Sequence, residues 1–245
     1  MLIAILTDIH GNREALEACL ASARRRNAGR TVFLGDFVGY GADPGFVVDT
    51  VMPLVERGAV ALIGNHDSAA VGNSESMNDD AARAIAWTCT RLDDRQRDFL
   101  ARLPFTAEDG DRLYVHASAA APERWDYMLD ANAAMRSFKA TAARITICGH
   151  VHVPILFQLS RARGLAAFEP PSDTALPLNE GRWIAVIGAV GQPRDGNPHA
   201  CYALYDDEAD TLTYVRVPYD VDTAAKKITA AGLPRRLAAR LAFGQ

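Results

Sequence analysis

Short apolar runs that stop at the same kinds of residue recur along the first 150 positions. Leu2–Thr7 is closed by Asp8, His10 and Gly11, and Thr31–Leu34 by Gly35 and Asp36. Ala59–Ile63 ends at Gly64, Asn65 and His66, Arg112–Val115 at His116, and Arg144–Cys148 at Gly149 and His150. Brief apolar runs bounded by turn residues read as buried strands. Between them the period becomes helical. Ala15, Leu16, Cys19, Leu20 and Ala23 form one stripe. Asn12 is placed to cap that helix, and Arg24, Arg25 and Arg26 end it where cations suit the dipole. Further helices are expected at Pro44–Val55, over most of 68–103, at Ala131–Ala140, and near 221–231 and 234–242. From Val153 the pattern turns to successive strands, at 153–158, 163–168, 182–187, 200–205 and 211–217. Strand–helix units followed by strands imply an α/β fold with a two-sheet β-sandwich core flanked by helices. No repeat, low-complexity stretch or long linker interrupts it. The expected organisation is one domain over 1–245 with a helical insertion near 68–103.

Composition narrows the partners. The 245 residues are 49% hydrophobic and 23% charged, which suits a globular chain and excludes a disordered one. Lys and Arg number 26 against 30 Asp and Glu, for a net charge of -4. With a pI near 5.9, the chain lacks the basic excess typical of nucleic-acid binders. Met1–Leu6 and Ile184–Val190 are too short to cross a bilayer. Cys19, Cys89, Cys148 and Cys201 are scattered, with no Cys-x-x-Cys pair, as expected of free thiols in a reducing compartment. The expected location is therefore the cytoplasm.

The strand ends hold the chemistry. His10, His66, His116, His150 and His152 all follow expected strands, and only His199 lies elsewhere. Asp8, Asp36 and Asn65 share those positions. In α/β sheets, ligand sites gather outside the carboxyl ends of strands. Imidazole, carboxylate and amide donors without thiolate suit Mn, Fe or Zn. Asp8 and His10 are two apart, as are His150 and His152, so each pair can project to one side of an extended segment. So many donors exceed the needs of one ion, whereas a bridging carboxylate can serve two.

In order and spacing, Asp8-Ile9-His10-Gly11-Asn12, Gly35-Asp36-Phe37-Val38-Gly39, Gly64-Asn65-His66-Asp67, Val115-His116 and Gly149-His150-Val151-His152 resemble the motifs of the calcineurin-like metallophosphoesterases. The tail, with Gly188-Ala189-Val190-Gly191-Gln192-Pro193-Arg194-Asp195-Gly196 and an alternating strand at Ala200–Tyr205, resembles the small bacterial and archaeal members. The resemblance implies a four-layer α-β-β-α fold and two metal ions. Asp8, His10 and His152 would hold the first, Asn65, His116 and His150 the second, and Asp36 would bridge them. It implies in-line attack on phosphorus by a hydroxide between the ions. His66 would contact the substrate phosphate and assist the leaving group.

One departure bears on substrate. Protein Ser/Thr phosphatases of this superfamily have Asp and Arg after the bridging-Asp motif, where this chain has Gly39 and Tyr40. The expectation is hydrolysis of a small phosphorylated compound, a phosphodiester or phosphoanhydride of nucleotide type such as a dinucleoside polyphosphate. A phosphomonoesterase or protein phosphatase is the alternative within the chemistry. A non-catalytic binding or scaffold module is the alternative outside it, opposed by the complete donor set. Asp67 is a candidate to orient His66 in place of the missing Asp. Arg194 either clamps a phosphate or occupies an exposed turn, and Tyr40 either contacts substrate or packs over the glycine loop. Trp125 and Tyr127 either stack on a nucleobase or pack. Arg235, Arg236 and Arg240 are expected on the solvated face of the last helix.

Overall fold

The computed structural model describes residues 1–73 and 76–245. The chain opens with β1 (Leu2–Leu6), α1 (Arg13–Arg25), β2 (Arg30–Phe33), α2 (Pro44–Glu56) and β3 (Val60–Ala61). Helices α3 (Asn65–Ala70), α4 (Asp79–Cys89) and α5 (Asp94–Ala101) follow. Next come β4 (Thr106–Asp109), β5 (Arg112–Val115), α6 (Ala131–Ala140), β6 (Ile145–Cys148), β7 (Ile155–Ser160) and β8 (Gly164–Phe168). The remainder is β9 (Leu176–Pro177), β10 (Arg182–Val186), β11 (Ala200–Asp206), β12 (Thr211–Val217), α7 (Val221–Ala230) and α8 (Arg235–Ala239).

Two six-stranded sheets result, in the orders β3-β2-β1-β11-β12-β9 and β4-β5-β6-β10-β7-β8. In the first, β1, β2 and β3 run parallel, and β11 joins β1 antiparallel. In the second, β5, β6 and β10 run parallel, and β7 joins β10 antiparallel. Both sheets are mixed: the parallel strands form one half of the first sheet, out to its β3 edge, and the centre of the second. Strand periodicity explains the layering. Ile3 and Ile5 point into the core between the sheets, with Tyr114, Ile147 and Ala203. Ala4 and Leu6, on the opposite face of β1, pack with Leu16 and Val48 of α1 and α2. On the far side, Val115, Cys148 and Val186 pack against Ala134 and Phe138 of α6. A strand covered on both faces must be apolar throughout, which is why β1 reads as an uninterrupted run.

Asn12 caps α1 as expected, accepting from the Ala15 amide at 3.1 Å. The expected segment 68–103 contains α4 and α5, but its first helix begins earlier, at Asn65. Positions 74–75 of that segment lie outside the described residues. Strand β4 was not expected. Its Thr-Ala-Glu-Asp sequence is too polar to signal a strand, yet it pairs with β5 across a turn at Gly110 (φ +62°). The expected helix over 234–242 divides into α8 and a 3-10 turn at Arg240–Ala242. Cys19, Cys148 and Cys201 are buried, Cys89 is half-buried, and all four are free thiols.

Candidate metal centre

The carboxyl ends of β1, β2, β3, β5 and β6 deliver the donor residues to one place. Main-chain bonds hold their loops together: Asp8 N–H donates to Gly35 O at 3.1 Å, His10 N–H to Asp36 O at 2.9 Å and Gly149 N–H to His116 O at 2.8 Å. The segment after β10 closes the other flank, with Val190 and Gly191 amides donating to Thr7 and Asp8 carbonyls. Asp8, His10, Asp36, His150 and His152 all have positive φ, between +50° and +67°. Such backbone is costly for residues other than glycine and persists where the surroundings impose it. Glycine is required beside it. A Cβ on Gly149 would meet Asp8 Oδ2 at 2.6 Å and collide with the Thr7 hydroxyl.

Two clusters share one carboxylate. Asp8, His10, Asp36 and His152 converge on one position, and Asp36, His116 and His150 on another. Asp36 Oδ2 lies 3.5 Å from both His10 Nε2 and His116 Nε2. Asp8 Oδ1 is 3.3 Å from His152 Nε2, and Asn65 Oδ1 is 3.3 Å from His116 Nε2. All but the half-buried Asn65 are buried. Three histidines are aimed from behind: Nδ1 donates to Val38 O from His10 at 3.0 Å, to Leu34 O from His116 at 2.8 Å, and to Gln192 O from His152 at 2.6 Å. A main-chain acceptor at Nδ1 leaves Nε2 free for a metal.

The arrangement fits metal ions and fits little else. His10 Nε2 faces His152 Nε2 at 3.2 Å, so two lone pairs confront each other unless a cation lies between. Asp8 Oδ1 and His150 Nε2 are buried without a hydrogen-bond partner, an arrangement that is costly when nothing binds them. Burial pushes His150 down to about 3, His10 well below the ordinary range, and His152 down as well. Burial alone would raise Asp8 and Asp36, yet nearby histidines outweigh it and hold both below the usual carboxylate range. His116 runs the other way: burial would lower it, but Asp36 pulls it up to about 9. Ionised carboxylates facing neutral His10, His150 and His152 are the protonation states that metal ligands need, and His116 would release its proton on binding an ion.

His66 sits at the start of α3, over this centre. Its ring is 4.8 Å from that of His10 and 4.4 Å from that of Tyr40. Its amide donates to Asp36 Oδ1 at 2.8 Å. Burial pushes it down to about 4 against the pull of Asp36. Asp67 does not orient it. The Asp67 carboxylate instead accepts the amides of Asp36, Phe37, Val38 and Gly64, at 2.8–3.2 Å, while His66 Nδ1 is buried with no partner.

The remaining candidates divide. Tyr40 both packs and reaches polar partners: its ring covers His10 and His66, and its hydroxyl accepts from Arg194 Nη2 at 3.3 Å. Arg194 is half-buried beside the centre rather than in an exposed turn. Tyr127 is 51% exposed and stacks on His150 at 4.2 Å. Trp125 is buried edge-on to His116 and is not free to stack on a base. His199, Arg235 and Arg236 are exposed. Arg240 departs from its expected solvated face: it is half-buried, and its Nη1 donates to Gln192 Oε1 at 3.2 Å. Two supports carried no sequence signal, the Thr7 hydroxyl on Asp8 Oδ2 at 2.9 Å and the Gln192 carbonyl behind His152.

Comparison with known proteins agrees with this geometry. A family model described as the calcineurin-like phosphoesterase superfamily domain matches residues 1–210. An uncharacterised protein of Methanocaldococcus jannaschii is 32% identical over 251 residues, covering 100% of this chain and 98% of its own. The crystal structure of a metallophosphoesterase from Sphaerobacter thermophilus is 37% identical, with a TM-score of 0.90 over 100% of this chain and 99% of that one. A hypothetical protein from Pyrococcus horikoshii, 18% identical, shares the fold at a TM-score of 0.81, over 100% of this chain and 98% of that one.

Proposed function

The chain belongs to the calcineurin-like phosphoesterase superfamily and is a metal-dependent phosphoesterase, and from that premise we propose that it hydrolyses a nucleotide-type phosphodiester or phosphoanhydride, such as a dinucleoside polyphosphate. In this reading Asp8, His10 and His152 hold one ion, Asn65, His116 and His150 hold the other, and Asp36 bridges them. Mn, Fe and Zn all suit such donors. When bound, two such ions supply a nucleophilic hydroxide at neutral pH and neutralise charge on the phosphoryl oxygens. The chain's own part is orientation. Backbone carbonyls fix three imidazoles, Thr7 fixes Asp8, and the His66 amide fixes Asp36. The His66 side chain donates a hydrogen bond to the leaving oxygen, and Arg194 and Tyr40 contact the substrate.

The observation that carries the substrate class is the surroundings of His66. Its Nδ1 has no hydrogen-bond partner, and Gly39 and Tyr40 stand where the protein phosphatases have Asp and Arg. A histidine without a carboxylate behind it is a weak base and a modest hydrogen-bond donor. That is sufficient for a leaving group that departs as a stable anion, as phosphate or a nucleotide does. The test compares a dinucleoside tetraphosphate, a nitrophenyl phosphodiester and an alkyl monoester, whose alkoxide leaves poorly, on Mn-loaded protein. We expect kcat/KM for the first two to exceed that of the monoester at least about tenfold, the worth of one charged contact. A preference for the monoester would reverse the assignment.

A further inference from the structure

Beyond the donor clusters lies a pair of arginines that the chain leaves uncompensated. Arg194 Nη2 and Arg240 Nη1 are each 3.2 Å from the same Gln192 Oε1. Neither guanidinium has a carboxylate within ion-pair distance among the described residues, and the buried Nε of each has no hydrogen-bond partner. Two other half-buried arginines are paired with carboxylates: Arg144 bonds Asp111 and Asp210, and Arg216 bonds Asp195. Asp80 acts on Arg240 only at longer range, and burial and the charge of Arg194 together lower the Arg240 pKa. Two adjacent like charges sharing one neutral acceptor repel each other at low local dielectric. A polyvalent anion between them would reverse that cost and satisfy the orphaned N–H groups.

The pair is fixed to the reacting centre. Gln192 O accepts from His152 Nδ1, and the Arg194 amide donates to His152 O at 3.1 Å. Arg194 also bonds Tyr40, whose ring lies on His66. We propose that Arg194, Arg240 and Gln192 form a subsite for a second phosphoryl group, joined to the one that reacts. This rests on the phosphoesterase reading and sharpens it. A substrate with a single phosphorus leaves Arg240 without a counter-ion, whereas a phosphoanhydride engages both arginines. Arg240 becomes a specificity-determining residue contributed by the 3-10 turn after α8.

The experiment is calorimetric titration of the Mn-loaded full chain with methylenediphosphonate and methylphosphonate, with metal content measured before and after. The wild type should bind the diphosphonate more tightly. Arg240→Gln should weaken the diphosphonate about 10- to 100-fold, as expected for a lost hydrogen bond between charged groups, and weaken methylphosphonate far less. Arg240→Lys should restore part of the difference, and thermal melts of all variants would register any loss of fold. Equal affinity for the two probes in the wild type, or equal weakening of both in Arg240→Gln, overturns the subsite while hydrolysis of a nitrophenyl phosphodiester still upholds the phosphoesterase reading. Failure to bind either probe or to hydrolyse any phosphoester overturns both.

Discussion

His10, His116 and His152 owe their aim to carbonyl oxygens that no single-sequence pattern could have assigned. Those oxygens come from loops brought close only by the paired sheets. The places of the candidate donors were legible, because each lies just past an apolar run that has to be a strand. The absence of a partner behind the His66 ring was not. Asp67 is its neighbour in sequence, yet its carboxylate points to four amides. Arg240 was also illegible, since its turn from the last helix towards Gln192 depends on tertiary packing. Two outcomes follow at this scale. Asp36→Asn should lose bound metal and turnover together, as measured by metal analysis and hydrolysis on the same preparation, because one residue serves both clusters. His66→Ala should keep its metal while kcat falls about 10²- to 10⁴-fold, the range for lost acid–base assistance. Loss of metal in that variant would instead make His66 a ligand.

The elements act by holding strained loops in register. Asp67 at the start of α3 clips the loop after β2, where Asp36 has a φ of +55°. Asp67→Ala leaves four amides without their acceptor, and each buried unsatisfied donor costs about 1–3 kcal/mol before water or relaxation offsets it. We expect a net loss of about 2–4 kcal/mol in urea unfolding and weaker metal binding. A variant as stable as the wild type would show that the clip is dispensable. The order of strands and helices was largely readable, because β1, β6 and α1 carry unmixed periodicities. What escaped was short or polar: β4 is held by its hairpin partner, and β9 makes only a two-residue pairing with β12.

At the scale of the molecule, the two sheets are joined at both ends. At the end away from the metal centre, Arg144 at the start of β6 bonds Asp111 and reaches Asp210, in the turn between β11 and β12 of the other sheet, at 2.8 Å. Burial would raise the Asp210 pKa, but Arg144 and Tyr205 outweigh it and lower it. A depressed folded pKa stabilises above the unfolded value near 3.9 and ceases to do so as pH falls through the folded value. Asp210→Asn should therefore lower Tm by about 2–4 °C near neutral pH, for about 1 kcal/mol lost. That gap should close below about pH 4, and a gap independent of pH would point to lost packing instead. At the other end, the same pairing of sheets brings the loops after β1 and β2 against those after β5 and β6, with Asp36 between the clusters. A two-ion centre requires that shared carboxylate. An anomalous-difference map from crystals of the Mn-loaded protein would test it directly. Two peaks flanking Asp36, about 3.5–4 Å apart as in two-metal hydrolytic sites, are the predicted result. A single peak, or peaks away from Asp36, would contradict it.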